Sequence, residues 1–400
     1  MTTKESTLIN PDGSQKIPGH ILPVIVVSQF AGTSLWFAGN AVIRHLMIDM
    51  SLPEGSMGYL VSSVQFGFIT GTLLFAVMML SDRVSPSRLF LVCSFLAAAA
   101  NASILFVPGQ LVYLLMSRFL TGFFLAGIYP VGMKIASDWH QKGLGKALGY
   151  LVGALVLGTA FPHFLNTFTV DFPWMAVIIF TSLIAIGGGI LLFFLVPDGP
   201  YRKPASKFDP SVIATVFSHT PFRKAAFGYF GHMWELYTFW AFVPVILTTF
   251  ATRGRVEYDS GLFSFILIAI GSLGCVAGGY IALRAGSKNT ALAALIISGL
   301  CCLVSPFLYD MPFALFISVL VVWGIAVITD SPQFSTLVAR NAPSEYTGSA
   351  LTIVNSIGFA ISIVSIEVVN YLMVPFSTDY VFVMLALGPL FGVVSLAGKG

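Results

Sequence analysis

A series of long, almost uncharged apolar runs constrains this chain more than any other feature. A helix needs about 20 mostly apolar residues to cross the roughly 30 Å hydrocarbon core of a bilayer. We number the runs as spans one to twelve. Their approximate bounds are 21–43, 57–80, 89–107, 110–134, 145–167, 174–196, 224–250, 260–283, 290–309, 312–337, 348–373 and 378–398. The pattern predicts an all-α membrane protein with 12 transmembrane helices.

Composition agrees with a lipid environment. Only 9% of the 400 residues are charged, and 56% are hydrophobic, whereas soluble chains average about 25% charged residues. The net charge is only +3, and the basic residues are not gathered into one tract, so no nucleic-acid partner is expected. The four cysteines lie in apolar runs without the paired spacing of a metal or redox site, which indicates core filling.

The apolar runs divide the chain into four parts. A polar tail at 1–20 precedes an N-terminal six-helix bundle at 21–196, and a polar linker at 197–223 leads to a C-terminal six-helix bundle at 224–400. The tail lacks a short apolar region followed by a small-residue cleavage site, so we expect span one to remain in the mature protein.

The positions of Lys and Arg predict the orientation. Sixteen of the 20 basic residues fall in the tail, the linker, the C-terminus and the loops on their side of the membrane. Only Arg44, Arg253 and Arg255 fall on the opposite side, and Arg118 lies within span four. We therefore predict a multi-pass protein of the cytoplasmic (inner) membrane with both termini and the linker in the cytoplasm.

The two halves of the chain resemble each other at a nearly constant offset. The matched segments are Tyr129-Pro130 with Ser331-Pro332, Gly145-Lys146-Ala147-Leu148 with Gly348-Ser349-Ala350-Leu351, Trp36-Phe37-Ala38 with Trp240-Ala241-Phe242, and loosely the loops at 83–88 and 284–288. Parallel repeats of six spans imply two bundles related by an axis along the membrane normal, with a site near the midplane between them.

Two sequence motifs resemble the signatures of a known family. The turn from Asp82 through Arg83 to Arg88 resembles the first cytoplasmic signature of the major facilitator superfamily, and the pair Arg118 and Gly122 is similar to its span-four motif. The resemblance covers essentially the whole chain and implies two pseudo-symmetric six-helix bundles that transport by alternating access. It also implies a conformational latch formed by Asp82, Arg83 and Arg88.

The chain departs from the family pattern at two positions of this signature. Met78 stands where the first signature usually has glycine, and Ala282 occupies the Asp position in the second half. The implied latch is therefore one-sided.

Ionisable residues within the apolar runs are the first candidates for function, because charge in a bilayer is costly. Arg118 could attract an anionic substrate or control a nearby carboxylate, or it could simply bond to carbonyls of neighbouring helices. Glu235 is a candidate proton carrier that shares a helix face with His232. The alternative is that Glu235 is a fixed strut tied to Arg118 or to a histidine. Asp330 could carry protons or organise the kink before Pro332.

Polar and aromatic residues at helical spacing suggest a cavity wall. Gln29, Thr33, Trp36 and Asn40 form one face of span one, which could line a substrate cavity or form hydrogen bonds between helices. Tyr237 and Trp240 on span seven are further candidates for substrate binding. His163 and Glu367, near the ends of spans five and eleven, could form a gate, although solvation at the interface is the simpler interpretation.

These features favour a secondary active transporter that is driven by protons and moves a small organic anion or zwitterion. No phosphate-binding loop or metal-ligand spacing is present, so no cofactor or metal is expected. We expect the partners to be a small-molecule substrate, protons and the lipid bilayer, and a monomer suffices. The alternative is a multidrug/proton antiporter, favoured by glycine-rich span five and the aromatic content. From a different class, a non-transporting receptor or a membrane-embedded enzyme stays open, but we find no convergent nucleophile and base.

Overall fold

The computed structural model describes residues 17–52, 56–106, 110–140, 144–168, 174–202, 216–254, 256–342, 347–373 and 378–398. Within these residues all regular elements are helical. Eleven helical stretches are long and apolar enough to cross a membrane, and Ile21–Thr33 is a shorter apolar helix. The prediction of an all-α membrane protein with 12 spans is confirmed.

The observed helices follow the twelve predicted runs. Spans one to six comprise Ile21–Thr33 with Ala38–Ala41 and Ile43–Asp49, Ser56–Met78, Pro86–Ala102, Leu111–Leu125 with Tyr129–Trp139, Leu144–Phe168, and Met175–Leu195. Spans seven to twelve comprise Thr220–Gly254, Ser260–Ala269 with Gly271–Ala285, Ser287–Val304, Phe313–Thr329 with Ser331–Asn341, Thr347–Leu372, and Thr378–Val381 with Leu387–Ala397. Short 3₁₀ turns at Ser103–Leu105, Ser305–Asp310 and Phe382–Ala386 extend spans three and nine and join the two parts of span twelve.

Successive spans run in opposite directions, which defines two ends of the molecule. We call the end where span one begins the terminal face, and the opposite end the far face. Span twelve finishes at the terminal face because the number of spans is even. The division of the chain at residues 197–223 remains a prediction, since 203–215 lie outside the described residues.

Spans one, four, eight, ten and twelve each consist of more than one helical segment. Spans one, four and ten extend beyond their predicted ends. Span four resumes at Tyr129 and span ten at Ser331, with Pro130 and Pro332 in the first turn of the new helix. Proline is tolerated there because it lacks the N–H that an interior position would need. Span one is interrupted between Thr33 and Ala38 without any proline, and sequence reasoning missed that break.

Matching glycine contacts support the pseudo-symmetry of the two halves. In the first half, a Cβ at Gly122 of span four would meet the backbone carbonyl of Val64 in span two. In the second half, a Cβ at Gly324 of span ten would meet the carbonyl of Leu267 in span eight. Gly122 and Gly324 are 202 residues apart in the chain, and so are Pro130 and Pro332. Glycine is required at both, since backbones this close leave no room for a side chain.

The two halves contact each other through spans two and eleven and through spans five and eight. Side-chain hydrogen bonds between described residues of the two halves include Ser62 to Glu367 at 2.6 Å, Ser362 to Gln65 at 2.8 Å, and Thr167 to Asp259 at 3.4 Å. All three lie in the parts of these spans nearest the far face. The structure therefore shows the halves joined on the far-face side.

Candidate functional site

Four aromatic rings meet where the halves face each other, near the midpoints of their spans. Trp36 and Phe68 come from spans one and two, and Tyr237 and Phe359 come from spans seven and eleven. Their ring centroids lie between 4.6 Å (Phe68 to Phe359) and 5.6 Å (Trp36 to Tyr237) apart. All four side chains are buried. We call these four residues the central aromatic cluster. Two of its members, Phe68 and Phe359, were not predicted from the sequence.

Several buried polar atoms near this cluster have no hydrogen-bond partner among the described residues. They include the indole Nε1 of Trp36, the indole Nε1 of Trp240, and the amide nitrogen of Gln65. The Trp240 ring packs edge-on against Tyr237 at 5.4 Å. Gln65 lies one helical turn from Phe68, and sequence analysis missed it even though a lone amide within an apolar run is a readable signal.

The predicted polar face of span one divides into two kinds of residue. Gln29 and Asn40 are buried, and no partner is found for either amide group within the described ranges. Thr33 differs, because its hydroxyl donates to the Gln29 carbonyl at 2.8 Å. Such a bond to the preceding turn satisfies the hydroxyl within its own helix.

Arg118 is buried, and its side chain bonds to the backbone at the break in span one. Its guanidinium donates to the carbonyls of Leu35 at 3.1 Å and Trp36 at 2.6 Å, and to the side-chain oxygen of Asn101 at 2.8 Å. These carbonyls lose their helical partners at the break, so the cation replaces the missing donors. The hydrogen-bond partners found for Arg118 all lie in the N-terminal half. They correspond to the alternative in which Arg118 bonds to carbonyls of a neighbouring helix.

Glu235 is buried inside the C-terminal half, where side chains from two other spans surround it. Its carboxylate accepts hydrogen bonds from Trp323 Nε1 at 2.6 Å, Ser298 Oγ at 2.9 Å and Cys302 Sγ at 3.2 Å. Neither Arg118 nor His232 is among these partners. Nothing in the apolar runs of spans nine and ten signals these three donors, and Cys302 does more than fill the core.

His232 and Asp330 form a buried pair at the break in span ten. The Nδ1 atom of His232 lies 2.8 Å from Oδ1 of Asp330, and each side chain is only 1% exposed. The imidazole packs against the rings of Tyr229 and Phe334. Its other nitrogen, Nε2, has no partner within the described part of the chain. The sequence predicted both residues as candidates but did not predict that they would meet.

The remaining candidates lie toward the two faces. Arg83 ends the short helix Leu80–Arg83, and both Arg83 and Arg88 are exposed. The side chain of Asp82 lies outside the described residues, so the latch remains a prediction. Near the far face, Glu367 accepts the cross-half bond from Ser62. His163 is buried rather than solvated, being 2% exposed. No group of three or more metal-binding side chains is found among the residues described.

Two pseudo-symmetric helical bundles with buried polar groups where they meet define a polytopic membrane transporter. The chain belongs to the Major Facilitator Superfamily, whose family model matches residues 23–366.

Known transporters are among the proteins that are similar to this chain. The niacin transporter NiaP of Acinetobacter baylyi (strain ATCC 33305 / BD413 / ADP1) is 31% identical over 163 residues. That match covers 34% of this chain and only 36% of the length of NiaP. A crystal structure of the nucleoside transporter NupG has a TM-score of 0.72 and 13% sequence identity, and the match covers 94% of this chain and 99% of that one. The likeness to NupG shows the fold alone.

Proposed function

We propose that this protein is a proton-coupled secondary active transporter that moves a small organic solute by alternating access. The buried pair of His232 and Asp330 is the observation that carries this proposal. A proton-coupled carrier needs a group that binds and releases a proton inside the membrane as the protein changes conformation. This pair combines a carboxylate with an imidazole at a break in a helix, and the free Nε2 of His232 offers a second position for a proton.

The surroundings of the pair suit a role in coupling. The second helix of span ten, Ser331–Asn341, packs against span five of the other half. Movement of one half against the other therefore acts directly on the helix that begins beside Asp330.

The sequence indicates both Glu235 and Asp330 as candidate proton carriers, and the geometry favours Asp330 in its pair with His232. Three donors already occupy the oxygens of Glu235, and one of them is an indole N–H, which can only donate. A carboxylate held in this way serves as a strut between spans seven, nine and ten. We keep Glu235 as the second candidate, because a proton on one oxygen would release Ser298 or Cys302.

Alternating access is supported by where the halves touch. The hydrogen bonds between spans two and eleven and between spans five and eight lie on the far-face side. Rocking the halves apart there would break a small number of polar contacts and separate the rings of the central aromatic cluster. The bond from Ser362 to Gln65 is neutral and contributes about 0.5–1.5 kcal/mol, whereas the bonds to the Glu367 and Asp259 carboxylates contribute about 1.5–3 kcal/mol each. A substrate that binds one state better by a few kcal/mol could therefore shift the equilibrium.

The solute that we propose is small and organic. The names of the two similar proteins assign niacin to one and a nucleoside to the other. The sequence-based preference for an anion or zwitterion rested on Arg118, and that guanidinium is engaged by three acceptors. The preference now rests on the unpartnered donors of Trp36, Trp240 and Gln65, which suit acceptor groups on a solute.

A multidrug/proton antiporter is the second candidate. The central aromatic cluster favours it, since aromatic walls without a fixed charge accept many amphipathic compounds. The two candidates differ in selectivity: an antiporter of this kind should be stabilised by many unrelated amphipathic compounds, and a dedicated carrier by a narrow chemical group.

Transport in proteoliposomes tests the proposal. A thermal-shift panel of nicotinate, uridine, benzoate and amphipathic cations first identifies a solute that stabilises the purified protein. Wild-type protein should concentrate that solute on an imposed proton gradient. Asp330→Asn should abolish this accumulation but retain exchange of labelled for unlabelled solute, because exchange needs no net proton movement. Accumulation by Asp330→Asn at the wild-type rate would exclude the pair as the proton carrier, and Glu235→Gln would then be tested in the same assay.

A further inference from the structure

We propose that the solute is a planar aromatic ring with acceptor groups, bound against the central aromatic cluster and recognised by the indole N–H groups of Trp36 and Trp240. This inference rests on the proposed transport function and assigns its substrate class. It is carried by unpartnered donors beside aromatic faces that belong to both halves of the protein.

The two indole N–H groups are the first observation. Both are buried, and neither has a hydrogen-bond partner within the described residues. An indole nitrogen can only donate, and a buried donor without an acceptor destabilises the folded state. Such groups are uncommon in folded proteins, and each one requires an explanation; we assign these two to the bound solute. A ligand that satisfies them must present acceptor atoms, such as a carboxylate, a carbonyl or a ring nitrogen.

The amide of Gln65 adds a third donor of the same kind. Its oxygen accepts from Ser362 across the interface at 2.8 Å, which leaves the amide nitrogen as the free end. Gln65 and Ser362 each lie one turn from a ring of the central aromatic cluster, Phe68 and Phe359 respectively. The amide nitrogen of Gln65 therefore provides a further hydrogen-bond donor on the far-face side of the cluster. No fixed cation is needed for such a site, which agrees with the engagement of Arg118 elsewhere.

The arrangement of the rings gives the shape of the ligand. Trp36 and Tyr237 come from opposite halves and are stacked, with centroids 5.6 Å apart and planes inclined by 27°. A third ring between them would require about 7 Å, which is two ring contacts of about 3.5 Å each. The halves must therefore separate slightly to admit a flat ring, and a bulky saturated ring would require a wider separation. A ring that stacks on both faces then contacts both halves at once.

Three matched carboxylates test this inference with purified wild-type protein. Nicotinate and benzoate are flat and aromatic, whereas cyclohexanecarboxylate carries the same acid group on a puckered ring. We expect nicotinate and benzoate to raise the melting temperature and to bind at least tenfold more tightly than cyclohexanecarboxylate. Equal stabilisation by all three acids, or by none of them, would overturn the inference.

Variants test the donors separately from the rings. Trp36→Phe keeps an aromatic face and removes the N–H, so nicotinate should bind about tenfold more weakly, as expected for one lost hydrogen bond in a buried site. Tyr237→Leu removes a stacking face and should weaken benzoate and nicotinate alike. Trp139→Phe is the matched control, because Trp139 donates to the Pro197 carbonyl away from the cluster. Unchanged nicotinate affinity in Trp36→Phe would contradict the assignment.

The outcomes for substrate class and for transport remain distinguishable. If nicotinate binds as expected but is neither accumulated nor exchanged in proteoliposomes, the transport proposal fails and the ring site stands. If another solute is accumulated on a proton gradient while the aromatic acids do not bind, the transport proposal stands and the ring site fails.

Discussion

Trp323 donates its indole N–H to Glu235 over 2.6 Å, which ties span ten to span seven inside the C-terminal half. Ser298 adds a bond from span nine to the same carboxylate. Three spans are therefore joined through one side chain. Because the indole cannot accept a hydrogen bond, the acceptor at position 235 determines whether Trp323 is satisfied.

The first prediction concerns stability at this position. Glu235→Ala should destabilise the protein by about 1–3 kcal/mol, because the Trp323 N–H would be buried without an acceptor. Glu235→Gln should be tolerated much better, since the amide oxygen can still accept from Trp323 while the Ser298 hydroxyl rotates. Thermal unfolding in detergent measures both variants, with exposed Glu257→Ala as the control. Equal melting temperatures for Glu235→Ala and wild type would contradict the proposed structural role of Glu235 between spans seven, nine and ten.

The second prediction concerns the glycine contacts of the two halves. Gly122→Ala and Gly324→Ala should each destabilise by about 1–3 kcal/mol, because the added methyl group would press on a backbone carbonyl that cannot rotate away. Gly279→Ala in span eight is the matched control, since a Cβ there meets nothing within 4 Å. The control should be neutral or slightly stabilising, as alanine favours the helix. If all three variants unfold alike, close packing at these glycines is not a source of stability.

Much of the architecture was predictable because a bilayer imposes one simple requirement. Length and apolarity predicted the twelve spans, and the prolines indicated the kink beside Asp330. The break in span one was not predictable, because it depends on Arg118 reaching the Leu35 and Trp36 carbonyls from another helix. A sequence shows which residues of a helix must be buried, but it does not show which neighbouring helix they will contact.

The sequence predicted several residues of the candidate site, but it did not predict which side chains would form hydrogen bonds with each other. Glu235, His232 and Asp330 stood out because charge within an apolar run is unusual. Their partners depend on how spans seven, nine and ten are rotated about their axes, and helical periodicity leaves that rotation free. Trp323 looked like an ordinary apolar residue, although it provides the shortest bond to Glu235.

The third prediction concerns the closed far-face side. Ser62 and Glu367 lie on opposite halves, and their side chains are 2.6 Å apart. Cysteines placed at both positions should be joined by a short bis-methanethiosulfonate reagent, and the link should stop transport because the halves could no longer separate there. Reduction of the link should restore transport, and each single-cysteine variant treated in the same way should remain active. Undiminished transport by the linked protein would argue against opening on this side.

The final prediction concerns orientation, which the distribution of Lys and Arg determines in the sequence. A cysteine at position 206, in the linker, should react with a membrane-impermeant maleimide in inverted vesicles or lysed cells, but not from outside intact cells. The native cysteines Cys93, Cys275, Cys301 and Cys302 are all buried, so the background should be low. A cysteine replacing exposed Glu257, in the loop between spans seven and eight, should show the opposite pattern. Because the two sites are predicted to lie on opposite faces of the same protein, they serve as controls for each other. Labelling at position 206 from outside intact cells would reverse the assignment and place the far face in the cytoplasm.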